Sequence, residues 1–255
     1  MSAKREFGVM KGQKVLVTGA GTGIGRGVAI EFSRAGADVV LRYFASSEEA
    51  ESAAEAINSS GGCAKAIGGD FRDIRAVKET ARLTIEFLGG IDVLVNNAGI
   101  TANAPFDEIT PELFDTLINV NLRAQIFLTQ AVLPVMERAR KGVAVNLTSI
   151  HAFTALTEHA VYAATKAAIV AYTRMAALEL IQKGVRMNAI APGWIWVENH
   201  RSTLGEAFDT ESAEKNIPRD LSTSPRISRD WRSFSPPTNR ATSWGRRLFV
   251  MGARR

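Results

Sequence analysis

Residues 14–35 read KVLVTGAGTGIGRGVAIEFSRA. Lys14-Val-Leu-Val-Thr18 is a short apolar run closed by glycine, the pattern of a strand buried on both faces. Gly23–Ala35 places Ile24, Val28, Ala29 and Phe32 at helical spacing, so a strand passes into a helix through a glycine-rich turn. Glycines there permit a tight turn and let the backbone approach a phosphate, whose charge the helix N-terminus stabilises. The pattern G-x-G-x-x-G does not fit, because Ile24 takes its last position counted from Gly19. What stands there is T-G-x-x-x-G-x-G.

Outward from this turn the same alternation continues. Val39-Val-Leu41 is the next strand, and Ser47–Asn58 a helix opened by serine with acidic residues in its first turn. Ala64–Gly69, Val93–Val95, Val143–Leu147 and Val185–Ile190 are further strands, separated by helices near 73–88, 111–136 and 157–183. Continuous apolar strands alternating with helices predict an α/β fold with a parallel sheet covered on both faces. Right-handed crossovers make it doubly wound, with ligands bound beyond the carboxyl ends of the strands. The residues that follow each strand are therefore the candidates for function.

Composition removes several classes. The chain has 255 residues, 46% apolar and 22% charged, which suffices for a substantial core. No apolar run approaches the ~18 residues of a membrane span, and the first twelve residues do not resemble a signal peptide. The lone Cys63 excludes an intrachain disulfide and a cysteine-based zinc cluster, so no metal site and a reducing, cytoplasmic location are expected.

Several strand ends carry motifs. Asn96-Asn97-Ala98-Gly99 follows the fourth strand, and Asn121 sits within Val120-Asn121-Leu122. Ser149 ends the fifth strand, Tyr162-Ala-Ala-Thr-Lys166 begins thirteen residues later, and Pro192-Gly193 follows the sixth. With the T-G-x-x-x-G-x-G turn, these motifs in this order resemble the short-chain dehydrogenase/reductase family, in particular its 3-oxoacyl reductases and sugar or polyol dehydrogenases. The resemblance implies a single Rossmann-type sheet of six to seven strands over residues 1–218, holding cofactor and catalytic groups together.

Tyr162 and Lys166, four apart on a helix, lie on one face. A phenol titrates near ~10 in water, and an adjacent ammonium favours the phenolate. The resemblance makes Tyr162 the acid and base, Lys166 the group that tunes it and holds the nicotinamide ribose, Ser149 the group that orients the substrate oxygen, and Asn121 a member of a proton relay. It places the cofactor against Gly19, Thr22, Gly23, Ile24, Gly25, Arg42, Tyr43, Asp70, Phe71, Asn97, Ala98, Gly99, Pro192, Gly193 and Ile195, besides Tyr162 and Lys166. An acidic residue at the end of the second strand repels a 2′-phosphate. That position is the neutral Tyr43, preceded by Arg42 and followed by Ser46 and Ser47. NADP(H) is therefore expected over NAD(H), unless Arg42 points to the opposite face. Asp70 would meet the adenine amine, or else cap a helix.

Ser149, His151 and Trp194 would touch the substrate, an alcohol or carbonyl compound, with Phe153, Glu158, His159 and Trp196 nearby in a mixed polar and aromatic wall. Val197 replaces a threonine that often bonds the cofactor in the family. A homodimer or homotetramer is expected for a chain with the family's intact C-terminus, with no membrane and no nucleic acid as partner. The alternative function is an impaired nucleotide-binding protein of the same fold.

Residues 219–255 depart from the family. They hold nine Arg, no Lys, no Glu and two Asp, and are rich in Ser and Pro. Such a tail reads as a disordered basic arm or an anionic-surface binder. A slip of reading frame near Pro218 explains it better. From Trp231 on, codons taken out of register permit F-L-A-S and G-Q-T-L, then D-G-G with one mismatch, the usual family ending. Trp231, Gly245 and Gly252 leave no codon choice and still land where that ending requires. The expectation is a tail without order and without a last strand, leaving an exposed sheet edge.

Overall fold

Apolar runs that alternate with amphipathic segments assemble here into a parallel sheet with helices on both faces. The computed structural model describes residues 9–193 and 248–251. Along the chain run β1 Lys14–Thr18, α1 Gly23–Arg34, β2 Asp38–Tyr43, α2 Ser47–Ser59, β3 Ala64–Gly68, α3 Ile74–Leu88 and β4 Val93–Asn96. They are followed by α4 Pro111–Leu117, α5 Ala124–Ala139, β5 Gly142–Leu147, α6 Ala160–Leu180, β6 Val185–Pro192 and β7 Leu248–Met251. The strand order is β3-β2-β1-β4-β5-β6-β7, every pair parallel. The chain winds one way from β1 to β3 and the other way from β4 onward. The crevice outside the carboxyl ends of β1 and β4 is thus the switch point at which such sheets bind ligands.

The two-residue period of a strand divides the core. Val15, Val17, Val39 and Leu41 pack against Ala29 and Phe32 of α1 and Ala53, Ala54 and Ile57 of α2. Leu16, Val40 and Leu94 face the other way, onto Val77 and Ala81 of α3, Leu128, Val132 and Met136 of α5, and Ala177 and Leu180 of α6. Between the layers, buried Asn96 and Asn146 bond each other at 2.9 Å, and reach Thr129 of α5 and Thr173 of α6. Each such bond nets only about 1 kcal/mol, but leaving one member unpaired costs more, so the set fixes how α5 and α6 sit on the sheet.

The strand and helix expectations hold within a residue or two for β1 to β4, α1 and α2. Three differences matter. The expected helix over 111–136 is interrupted by a π-helical turn at Ile118–Arg123, which divides α4 from α5 around Asn121. The helix carrying Tyr162 begins at Ala160 rather than near 157.

A third difference corrects the expectation of a tail without a strand. Leu248–Met251 pairs with Ala189–Pro192 in parallel, so β6 is not the sheet edge. Leu-Phe-Val-Met is an uninterrupted apolar tetrapeptide, and it satisfies the backbone groups that β6 would otherwise leave open. The Arg, Ser and Pro content of the whole tail hid that short run. The rest of residues 219–255 lies outside the described residues.

Candidate active site

At the end of β1 the backbone turns through Gly19, whose φ is +62°, and α1 starts at Gly23. The turn has no room for side chains. A Cβ at Gly19 would stand 2.9 Å from the Ala98 Cα, one at Gly25 would fall on the Gly19 carbonyl, and one at Gly21 on Ser46. Thr18 and Asn97 strap this turn to the end of β4. The Thr18 hydroxyl accepts from the Asn97 and Ala98 amides at 3.0 and 2.9 Å and donates to the Val95 carbonyl. The Asn97 side-chain amide donates to the Thr18 and Gly19 carbonyls. A bare, rigid backbone cradle at a helix N-terminus suits a pyrophosphate, and the structure fits a dinucleotide there. Asn97 serves the cradle with its side chain; Ala98 is buried.

Beyond the cradle, Gly99 lies against Asn121 and Lys166. A Cβ on it would come within 3.3 Å of both the Asn121 Oδ1 and the Lys166 Nζ. Asn121 is fully buried in the π turn, a distortion that frequently marks functional sites. Its Oδ1 accepts from the Ile100 amide at 2.8 Å, and its Nδ2 donates to the Ile100 carbonyl and to Thr165 Oγ1 at 2.9 and 3.2 Å. The Thr165 hydroxyl in turn donates to the Tyr162 carbonyl. Asn121 therefore ties the loop after β4 to the helix that carries Tyr162 and Lys166.

Lys166 is buried, and its Nζ donates to the Leu147 carbonyl at 3.0 Å. Burial pushes its pKa down to about 8. The Thr148 hydroxyl fixes the same turn of α6 by donating to the Lys166 carbonyl at 2.6 Å. The ammonium stands 5.6 Å from the centre of the half-buried Tyr162 ring. Ser149, at the end of β5, accepts from the His151 amide at 3.2 Å, which leaves its own hydroxyl proton to donate elsewhere. His151 and His159 stand 6.4 and 6.1 Å from the Tyr162 ring and 5.6 Å from each other. The strand ends thus bring Asn121, Ser149, His151, Tyr162 and Lys166 to one place. A phenol beside a buried ammonium and a proton-donating hydroxyl can hold and move one proton at an oxygen atom.

The far end of the crevice departs from expectation at Arg42. Strand parity turns its side chain toward α3, where it is 2% exposed and its guanidinium stacks 3.5 Å above the Phe71 ring. It faces away from the glycine turn, and burial lowers its pKa to about 10 against the opposing pull of Asp70. Phe71 is itself buried, so its side chain belongs to the core rather than to a ligand surface. Tyr43 lies on the other face and donates to Glu51 at 3.2 Å. Asp70 is held by Arg72, whose amide and Nε both donate to it, and this keeps its carboxyl below the usual range. The helix cap is Asp73, which accepts from the Arg75 amide, so Asp70 does not cap α3.

Pro192 closes β6 and Gly193 follows it. Trp194, Ile195, Trp196 and Val197 lie outside the described residues. Sequence reasoning missed Thr18, Thr148 and Thr165, each of which acts by pinning a neighbour. Their position beside a glycine turn, a strand end and Lys166 was the available signal. Among the described residues no group of His, Cys, Asp or Glu could hold a metal, and no helix is long and apolar enough to cross a membrane.

Residues 13–206 match the sequence profile of the short chain dehydrogenases. The chain is 38% identical over 203 residues to a 3-oxoacyl-acyl-carrier-protein reductase of Staphylococcus epidermidis, covering 80% of this chain and 83% of that one. It is 35% identical over 194 residues to a hydroxynaphthalene reductase of Aspergillus fumigatus, covering 74% and 70%. Among solved structures, a short chain dehydrogenase from Burkholderia cenocepacia in complex with NADP superposes with a TM-score of 0.69 at 34% identity, over 74% of this chain and 77% of that one.

Proposed function

Because the chain belongs to the short-chain dehydrogenase family, a group of NAD(P)-dependent oxidoreductases, we propose that it interconverts a secondary alcohol and a carbonyl compound with Tyr162 as the proton donor and acceptor. The nicotinamide cofactor supplies or accepts the hydride when bound. The glycine cradle from Gly19 to Gly25 would hold its pyrophosphate, with Asn97, Ala98 and Gly99 as the second wall and Pro192 and Gly193 at the nicotinamide end. Ser149 donates its free proton to the substrate oxygen and orients it. Tyr162 passes a proton to that oxygen during reduction and takes it back during oxidation. The Lys166 charge, 5.6 Å from the phenol ring, stabilises the negative charge that develops there. Asn121 spends its side chain on Ile100 and Thr165, so its part in a proton relay falls to its backbone carbonyl in the π turn.

The observation that carries this reading is the buried Lys166 ammonium, bonded to one carbonyl and set beside a half-exposed phenol and Ser149. Burying a lone cation is costly, and a site that needs its charge justifies it. Tyr162→Phe is expected to lower turnover by about 10²–10⁴-fold while the protein still binds NADPH, as followed by cofactor fluorescence. A Phe variant with parental rates overturns the mechanism.

NADP(H) remains the favoured cofactor on narrower grounds. Arg42 faces the core, so the preference rests on the neutral Tyr43 at the position of the repelling acid, with Ser46 Oγ beside Gly21. Comparing kcat/KM with NADPH and NADH tests it; a clear preference for NADH refutes it. The partner assigned to the molecule itself is a second copy, through the apolar outer faces of α5 and α6.

A further inference from the structure

We propose that Arg123 is a positioning residue for the cofactor. It clamps the loop that would receive the adenosine half onto the π turn that holds Asn121, so that the adenosine half assists the hydride step as well as binding. The inference rests on the nicotinamide-dependent reading above and adds a residue through which the two ends of the crevice act together.

Asp70, Phe71 and Arg72 lie just beyond the carboxyl end of β3, between that strand and α3. Each is held from a different side. Arg42 of β2 stacks 3.5 Å above the Phe71 ring. The Arg72 guanidinium closes on the Asp70 carboxylate at 2.6 Å and stands 5.4 Å over the ring of Phe44, the residue after Tyr43. The Arg72 carbonyl accepts from the Arg123 Nη2 at 2.7 Å, across 51 residues of chain. The first two contacts come from β2 and from the loop itself. The third ties the loop to the helical segment that also builds the catalytic end.

Arg123 is the last residue of the π turn, and Asn121 stands two before it. Residues two apart on a helix do not face each other, so this one turn reaches both ways. Asn121 bonds Ile100 and Thr165, and the Thr165 hydroxyl donates to the Tyr162 carbonyl. Arg123 reaches Arg72 on the other side. An unbroken line of bonds therefore runs from the loop after β3, through Arg123 and Asn121, to the helix that carries Tyr162 and Lys166.

Arg123 is not a loose surface side chain that happens to meet a carbonyl. Its Nε is buried and has no hydrogen-bond partner among the described residues, while its Nη2 makes the bond to Arg72. Leaving a buried donor unpaired costs more than one ordinary hydrogen bond returns, so stability by itself is a poor reason for an arginine here. Its charge also acts on the start of α3. The capping Asp73 carboxyl is held below the usual range chiefly by its hydrogen bond from Arg75, and Arg123 adds to that pull. Contacts to a remote, unreacting part of a bound molecule can lower the barrier at the reacting part, provided that the protein joins the two firmly. Arg123 is the join.

The test takes the cofactor apart, using the full chain. Reduced nicotinamide mononucleotide serves the catalytic end alone, and the matching adenosine fragment is added separately: adenosine 2′-monophosphate if NADPH gives the higher kcat/KM, adenosine if NADH does. In the parent the fragment is expected to raise turnover of a carbonyl compound by the mononucleotide at least about fivefold. Arg123→Met should use the mononucleotide alone within about threefold of the parent, lose the stimulation, and bind the whole cofactor about tenfold more weakly in a fluorescence titration. Arg123→Lys keeps a donor for the Arg72 carbonyl and should restore both. A parent that the fragment does not stimulate, a Met variant stimulated like its parent, or one that loses the mononucleotide reaction in parallel overturns the positioning role while the redox reading stands. If no carbonyl compound is turned over even with whole cofactor, the redox reading fails, and the titration decides. NADPH binding weakened about tenfold by Arg123→Met and restored by Arg123→Lys supports the clamp; binding that is absent, unchanged or not restored overturns it.

Discussion

Burial holds the Lys166 ammonium at a pKa of about 8, against 10.5 for a solvated lysine. The folded protein therefore gives up this proton before the unfolded chain does. Between pH 8 and 10.5 the unfolded state binds more protons, so the contribution of Lys166 to stability rises with pH across that window; below pH 8 its full cost is present. Lys166→Met keeps the bulk and removes the charge. For the cofactor-free protein the variant is expected to be more stable at pH 7 by about 1–3 kcal/mol, with the advantage shrinking toward pH 10, while turnover is lost. Urea unfolding at pH 7 and pH 9.5 checks both the size and the direction. A variant less stable than its parent at pH 7 would show that Lys166 costs nothing to bury.

The turn between β1 and α1 owes its shape to missing side chains. At Gly25 a Cβ would fall on the Gly19 carbonyl and close to the Asn97 amide, whereas at Gly27, half a turn on, it would meet nothing within 4 Å. Gly25→Ala must displace the turn or the strap from Asn97, and is expected to weaken NADPH binding at least about tenfold in a fluorescence titration. Gly27→Ala, in the interior of α1, should bind as the parent does and gain up to about 1 kcal/mol from helix propensity. Equal affinities for the two variants would separate the turn from the cofactor. The π turn at Ile118–Arg123 belongs to the same scale: it sets Asn121 against Ile100 and Thr165 and so couples the loop after β4 to α6.

Seen whole, the sheet continues past β6 to β7, but α6 leaves an apolar stripe uncovered on its outer face, beside the exposed Arg174 and Glu179. Ala164, Ala167, Ala171, Met175 and Leu178 form a stripe on its outer face, and the last two are 60% and 58% exposed. A contiguous exposed apolar stripe marks an interaction surface, and the described residues cover only the inner face of α6. Phe114 of α4 and Phe127 of α5 add exposed rings. The proposed second copy of the chain would cover this stripe. The double variant Met175→Glu and Leu178→Glu is expected to shift the protein to monomers in sedimentation or light scattering. An unchanged assembly, or a parent that is already monomeric, removes that face as the interface.

The sequence by itself determined the α/β class, the succession along the chain of strands β1 to β6 and the motifs at their ends, because these follow from local periodicity, glycine and spacing. It could not determine which face of β2 Arg42 would take, since that depends on register and parity; tertiary packing turned it onto Phe71. Nor could it show that Asn97 and Asn121 act as straps, or that His159 comes to His151 and Tyr162. Those contacts join segments far apart or bent by an unusual φ, which no local pattern records. β7 is the same case in reverse. Four apolar residues in a basic tail are silent as sequence, and become a strand only because the open edge of β6 offers unpaired backbone groups to complete.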